Sequence, residues 1–456
     1  MKFSLKDITI AYQKAKADAW LRHDLNEDLY FWYEQDFLAQ AKEFQKFMTA
    51  GVRKTGFTAD WVGGWRLMAK KPKMRPCSDD EDMSIFSDPN ENFKLSNLDG
   101  VAYRLMATPS VNFQILSSLW ILKVGWKYDK RLLRNVYGNR LRPVKKGAKG
   151  PNAATRGSFK FYRPMFAKWK RDGINALSSV LKNHKAVVVT ADAKAFFHSL
   201  KPDFLLDNKY LTRNRIVLTE EDRELTRLLV EAITVWARAT PLKTGLPVGL
   251  AASNVIANVA LLDFDKAFEG LPGRIFYGRY VDDILLVFRD LDDVRTRSDV
   301  WNKIALSGQC FNPRIEKPKN ASGQVATVGI EFHPDYLESI SETGIVFTGE
   351  KCRAFFLDTK TGPSFVETLE EQIRDVTSEF RYLPKNIFND DDIDSKIQKL
   401  LTRDGEEADN FRKIDLLALR KKDLKELLRE MHKVNGSLEI SFISKLIATV
   451  NPSMPI

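Results

Sequence analysis

Cysteine and histidine are scarce in this chain, three of the first and five of the second in 456 residues. Cys77, Cys310 and Cys352 are far apart and odd in number, so they form neither a metal-ligand spacing nor a disulfide framework. This excludes a disulfide-stapled scaffold and a Cys/His zinc module, and it fits a reducing cytosol. Long hydrophobic runs are missing as well. No stretch reaches the roughly 18 consecutive apolar residues that read as a membrane helix. The opening residues, Met1 to Asp7, are too polar for a secretory leader. The expectation is a chain with no membrane partner. There is also no internal repeat of fixed period and no low-complexity tract.

What is present is positive charge and ordinary apolar content. Lys plus Arg number 71 against 60 Asp plus Glu, a formal net charge of +11, and 44% of residues are hydrophobic. That balance favours a polyanionic partner without requiring one. The length allows roughly two to four domains or subdomains.

The most unusual stretch is Tyr280-Val281-Asp282-Asp283, flanked by the apolar runs Ile275 to Tyr277 and Ile284 to Phe288. Such runs read as buried strands, so the pattern predicts a hairpin with two acids at its tip. Aspartate is depleted in strands, and adjacent negative charges repel unless a cation lies between them. A lone Asp-Asp is most often a solvated turn. Here a second apolar run, Ala186-Val-Val-Val-Thr-Ala-Asp192, also ends in an acid and leads into Phe196-Phe197. Between the two lies Gly245-Leu-Pro-Val-Gly-Leu-Ala-Ala-Ser-Asn-Val-Ile-Ala-Asn258, a glycine–proline turn running into a small-residue helix. Three carboxylates from neighbouring strands suit a pair of divalent cations with oxygen ligands.

In this order the three segments resemble the palm of a reverse transcriptase. Asn312 to Lys317 and Thr327 to Phe332 are similar to the short lysine-bearing motif and the primer-gripping turn of that family. The resemblance implies an α+β right-hand polymerase. Residues 1–60 would be an N-terminal helical extension, 61–185 the fingers, and 186–355 the palm, with finger-like helices around 205–240. Residues 356–456 would be a helical thumb or C-terminal appendage. It also implies two magnesium ions, with manganese as a substitute. Asp192 and Asp282 would bridge the metals, Asp283 would assist, and the carbonyl of Ala193 would complete one shell. Phe197 would lie against the sugar and exclude a 2′-hydroxyl; core packing is the bland alternative. Gly245, Pro247, Val248 and Gly249 would face the nucleotide and template. Lys317 would meet the pyrophosphate, and Tyr280 and Gly329 the primer and template. Arg140 and Arg104 are the candidates for the triphosphate. Val248 departs from the glutamine that many reverse transcriptases carry there.

The Val136-Tyr-Gly-Asn-Arg-Leu141 and Phe196-Phe-His-Ser-Leu200 stretches are similar to abortive-infection and other defence-associated reverse transcriptases. That branch implies phage defence, with deoxynucleoside triphosphates, an RNA template or dedicated noncoding RNA, a DNA product and self-association. No integrase, ribonuclease H, maturase or HNH segment is recognised, so a stand-alone polymerase is expected. Template-independent or protein-primed DNA synthesis, an RNA-dependent RNA polymerase, and a nucleic-acid-binding module with a silent palm remain open.

The rest of the chain reads more plainly. Leu29, Trp32, Tyr33, Phe37, Ala41, Phe44 and Phe47 recur at helical spacing, a core stripe with an interaction surface as the alternative. Thr219 to Asp222 opens a helix with a capping pattern. Ser158 to Arg171 interleaves aromatics with cations, which suits base stacking and a plain amphipathic helix equally. The acidic loop 78–92 reads as a solvated loop. The turn at Gly138-Asn139 with the basic run through Lys145, Lys146 and Lys149 could cradle phosphates, with an exposed loop as the bland alternative. The patterns at 365–380 and 416–431 read as amphipathic helices. The last of these carries a basic face.

Overall fold

The computed structural model describes residues 3–21, 27–69, 103–142, 157–193, 195–291, 294–307, 311–316, 326–332, 340–341, 344–348, 353–360, 362 and 366. The acidic loop 78–92, the lysines at 145, 146, 149 and 317, and the two C-terminal helical patterns lie outside them. The chain divides into two compact units, Met1–Trp65 with Ala107–Arg374, and Arg66–Met106 with Asp375–Ile456. In the second unit the described residues are Arg66–Ala69 and Tyr103–Met106. They belong to β1 (Gly63–Ala69) and β2 (Tyr103–Pro109), which pair as a two-stranded ribbon.

The first unit is built around a four-stranded antiparallel sheet. Its strands are β3 (Ala186–Asp192), β4 (Arg274–Tyr280), β5 (Asp283–Arg289) and β9 (Arg353–Leu357), in the order β4-β5-β3-β9. A second sheet holds β6 (Phe311–Glu316), β7 (Ala326–Phe332) and β8 (Val346–Thr348). β3 occupies an inner position because Ala186, Val187, Val188 and Val189 are all buried. β-Branched side chains fill that pleated environment, and each buried valine contributes roughly 1.5–3 kcal/mol. The helix Tyr162–Leu181 lays Ile174, Leu177, Val180 and Leu181 against Ala186, Val188 and Val287. Gly173 permits this approach, since a Cβ there would stand 2.3 Å from the Leu285 side chain.

Helix Val111–Trp120 is buried along its length and starts on the Ser110 hydroxyl, which accepts from the Phe113 N–H. It packs against the small-residue helix Ala251–Ala260, whose Ala252 N–H donates to Ser117 at 2.8 Å. Helix Glu220–Ala239 begins with the expected capping box. The Thr219 hydroxyl accepts from the Asp222 N–H, and the Asp222 carboxylate accepts from the Thr219 N–H.

The aromatic stripe of residues 29–47 is only partly a core stripe. Tyr33, Ala41 and Phe44 are buried, whereas Trp32 is 71% exposed and Tyr30 is buried in its stead. Tyr30 and Tyr33 share one face of helix Glu27–Gln35, and a break at Asp36 separates it from helix Phe37–Lys46, so one helical face does not run through both.

Candidate active site

The acids meet where β3 and β5 pair. Asp192, the last residue of β3, is the direct cross-strand partner of Asp283, the first of β5. Tyr280 in turn faces Asp283 across β4 and β5, so the hairpin tip consists of Val281 and Asp282. Asp282 stands close to Asp192 and Asp283, and its carboxyl is pushed up to about 7. Burial is the main cause, followed by the negative charges of Asp192 and Asp283. Such mutual repulsion works against folding and is relieved by a cation.

Among the described residues, no three His, Cys, Asp or Glu side chains stand as a ready metal cage. Magnesium does not require one, because it uses one or two carboxylates and completes its shell with waters and substrate phosphates. The oxygen-only donors Asp192, Asp282 and Asp283 fit that ion. Ala193 is buried beside them and bridges to Phe347 of β8.

The tip is strained and braced. Val281 sits at φ 58°, in the left-handed region that a β-branched residue strongly disfavours, at a cost of about 1–3 kcal/mol. Two elements hold it there. Gly138 presses against it, such that a Cβ would stand 2.7 Å from the Val281 nitrogen and 2.8 Å from its Cγ2. Arg279, fully buried, donates to the Val281 carbonyl at 2.6 Å. The same guanidinium donates to both Asp265 oxygens at 2.7 and 2.6 Å, and to the Asn258 side-chain and backbone oxygens at 2.9 and 3.1 Å. Asn258 donates onward to the Gly138 carbonyl at 2.7 Å. One closed network thus links the helix after the glycine–proline turn, the 136–139 turn and the acidic hairpin.

The residues expected to face a nucleotide also gather. Phe196 and Phe197 lie on a one-turn helix, Phe196–Ser199, not on the strand end itself; Phe196 is buried and Phe197 half-buried. The Phe197 carbonyl accepts from the Leu246 N–H at 2.8 Å. Gly245 has φ 99° and Gly249 φ 111°, and a Cβ on Gly245 would stand 2.8 Å from the His198 backbone. The Val248 carbonyl accepts from the Ala107 N–H, and Pro247 is buried next to it.

Other expected contacts are differently engaged. Arg140 donates to the Asp129 carboxylate and to the carbonyls of Asp129, Leu133 and Val136, so its guanidinium braces a turn. Arg104 is exposed in the second unit. Tyr280 is buried in a cluster with Tyr137 and Trp169. Gly329 lies in β7, opposite Arg314 of β6 and Thr348 of β8.

Residues 103–317 match the family described as reverse transcriptase (RNA-dependent DNA polymerase). The chain carries a reverse transcriptase domain. No curated protein matches it. The reverse transcriptase domain spans β2 to the end of β6 and so contains both acid-bearing strands and the glycine–proline turn. The chain is accordingly an RNA-directed DNA polymerase, a nucleotidyltransferase, and the domain implies a nucleic-acid template and deoxynucleoside triphosphates as substrates. Among the described residues, no helix is long and apolar enough to cross a membrane.

Sequence reasoning passed over Asp265, Arg279 and Gly138. The available signals were an arginine between apolar and aromatic residues of β4 and a glycine in the turn that carries Arg140.

Proposed function

We propose that this reverse transcriptase extends a primer at the Asp192–Asp282–Asp283 cluster and serves in phage defence. The observation that carries the catalytic part is the register of β3 on β5. It sets Asp192 opposite Asp283 and beside an Asp282 whose carboxyl is already pushed up by its neighbours. Asp192 and Asp282 would hold two magnesium ions, with Asp283 and the Ala193 carbonyl assisting. When bound, the metals lower the pKa of the attacking hydroxyl and neutralise the leaving pyrophosphate. The chain's own contribution is position. The Arg279 network fixes the hairpin tip, and the bond from Leu246 to the Phe197 carbonyl ties the Phe197 backbone to the Gly245–Gly249 turn. Phe197 would exclude a 2′-hydroxyl, and the two glycines would allow the backbone to approach the templating base pair. Arg140 would shape the 129–140 turn and Lys317 would meet pyrophosphate. The fingers and a helical thumb or appendage would occupy 61–185 and 356–456.

The defence role is supported by the likeness of the 136–141 and 196–200 stretches to defence-associated reverse transcriptases. Purified protein is incubated with magnesium and labelled deoxynucleotides, with and without its co-purifying nucleic acid. The Asp282→Ala, Asp283→Ala double variant is the control. Polymeric label in wild type alone supports the catalytic reading, and nuclease or protease sensitivity of the product reports the primer. Phage plating on cells carrying either version tests defence. Equal protection by both would favour a palm that serves binding alone.

A further inference from the structure

We propose that Phe161 and the first turn of the Tyr162–Leu181 helix form a stacking platform for an unpaired nucleic-acid strand beside the acidic hairpin. This deepens the polymerase reading and rests on it. A ladder of rings leads outward from the hairpin. Tyr280, 5% exposed, meets Phe166 edge-on at 5.0 Å and Tyr162 edge-on at 5.3 Å. Tyr162 stacks on Phe166 at 5.2 Å. The ladder then opens to solvent, since Tyr162 is 45% exposed and Phe161 59% exposed.

Cations accompany the rings. The Arg142 guanidinium lies 4.4 Å from the Phe161 centroid, and the Lys170 ammonium 4.5 Å from that of Phe166. Residues 157–171 contain Lys160, Arg163, Lys168, Lys170 and Arg171 and no acid. Lys168 pairs with Asp172, which follows directly.

Packing accounts for Met165 and Phe166, which lie against the Tyr137, Trp169 and Tyr280 cluster, but it leaves Phe161 and much of Tyr162 in water. The buried residues of the helix begin at Trp169 and continue through Ile174, Leu177, Val180 and Leu181. Two adjacent exposed aromatics about two turns before Trp169 leave apolar area in water, a cost that folding alone does not repay. Bases stack on such rings while phosphates lie among neighbouring cations, and every base offers a face. A duplex hides those faces, so the platform selects an unpaired strand. Its place beside Tyr280 puts that strand next to the reacting cluster.

The test measures anisotropy of a labelled single-stranded RNA oligonucleotide, its abasic counterpart and a duplex, using the full chain. The variants are Phe161→Ala/Tyr162→Ala and the ring-preserving Phe161→Tyr/Tyr162→Phe. Loss of two stacks should weaken single-strand binding by at least about 20-fold. The salt slope should be unchanged, because no cation is removed. The ring-preserving variant should stay within about twofold of wild type, and the abasic strand should not discriminate between the proteins. Unchanged single-strand affinity in the alanine variant, or an equal loss on the abasic strand or the duplex, overturns the platform. Deoxynucleotide incorporation on the same preparations separates the two readings. Incorporation by wild type with unaltered binding by the alanine variant removes the platform alone. Ring-dependent binding without incorporation keeps the platform and removes the polymerase reading.

Discussion

Arg279 is the point at which fold and candidate site can be separated by experiment. Replacing it with alanine removes donors to Asp265, Asn258 and Val281 in one step. Both members of the Arg279–Asp265 pair are wholly buried, and the pair is 2.6 Å long. Removing one partner leaves a buried charge, which costs about 3–5 kcal/mol. Total stabilities of about 5–15 kcal/mol make this a large fraction. Denaturant unfolding should therefore show a clearly lower midpoint. The double variant Arg279→Met, Asp265→Leu removes both charges and should recover part of that loss, because apolar replacement of a buried pair is often close to neutral, while the Tyr277 hydroxyl and the Asn258 and Val281 oxygens lose their partners. Incorporation should not recover with it. The Val281 carbonyl still lacks its donor, so the strained tip is free to relax and Asp282 to move. Arg279→Lys keeps the charge but not the fork of five donors, and should fall between wild type and alanine in both measurements. A loss under about 1 kcal/mol in Arg279→Ala would refute the structural reasoning. Full activity in a refolded double variant would refute the positioning role.

Gly138→Ala forces a methyl against the Val281 backbone and side chain, so steady-state incorporation should drop tenfold or more, by about 1.4 kcal/mol or above in barrier. Denaturation should shift far less than in Arg279→Ala. Gly245→Ala meets both a φ of 99° and the His198 backbone, and should lose about 1–3 kcal/mol of stability together with nucleotide affinity, read by thermal unfolding with and without deoxynucleotide. The Asp222 carboxyl is raised by burial but lowered further by hydrogen bonds from Lys127 and Thr219, so its net position lies below the usual aspartate value. Its contribution is present above the unfolded value near about 3.9 and fades as pH falls through the lower folded one. The stability gap between wild type and Asp222→Asn, measured by urea unfolding, should thus be constant around neutrality and close on acidification.

The parts of this protein that were legible in sequence are those whose causes are local. An apolar run bounded at one end by aspartate specifies both a buried strand and a polar end, so β3 and β5 were visible with their acids. Thr219 and Asp222 cap the same turn and were visible together. The hidden parts are long-range. Asp265 to Arg279 and Asn258 to Gly138 join residues that no periodicity relates, because burial of an arginine depends on which carboxylate the fold brings to it. Alternation alone would give Arg279 a solvated face. Arg140 illustrates the converse, since a cation in a glycine turn attracts a phosphate-binding reading while its hydrogen bonds to Asp129 and three carbonyls are hidden in the sequence. The two cases share one origin. Sequence states which charges exist, whereas function depends on which of them already have partners. Asp282 is the clearest instance: its neighbours are two more acids, Asp192 and Asp283, and that unfavourable company is the strongest physical reason to assign a cation to this hairpin.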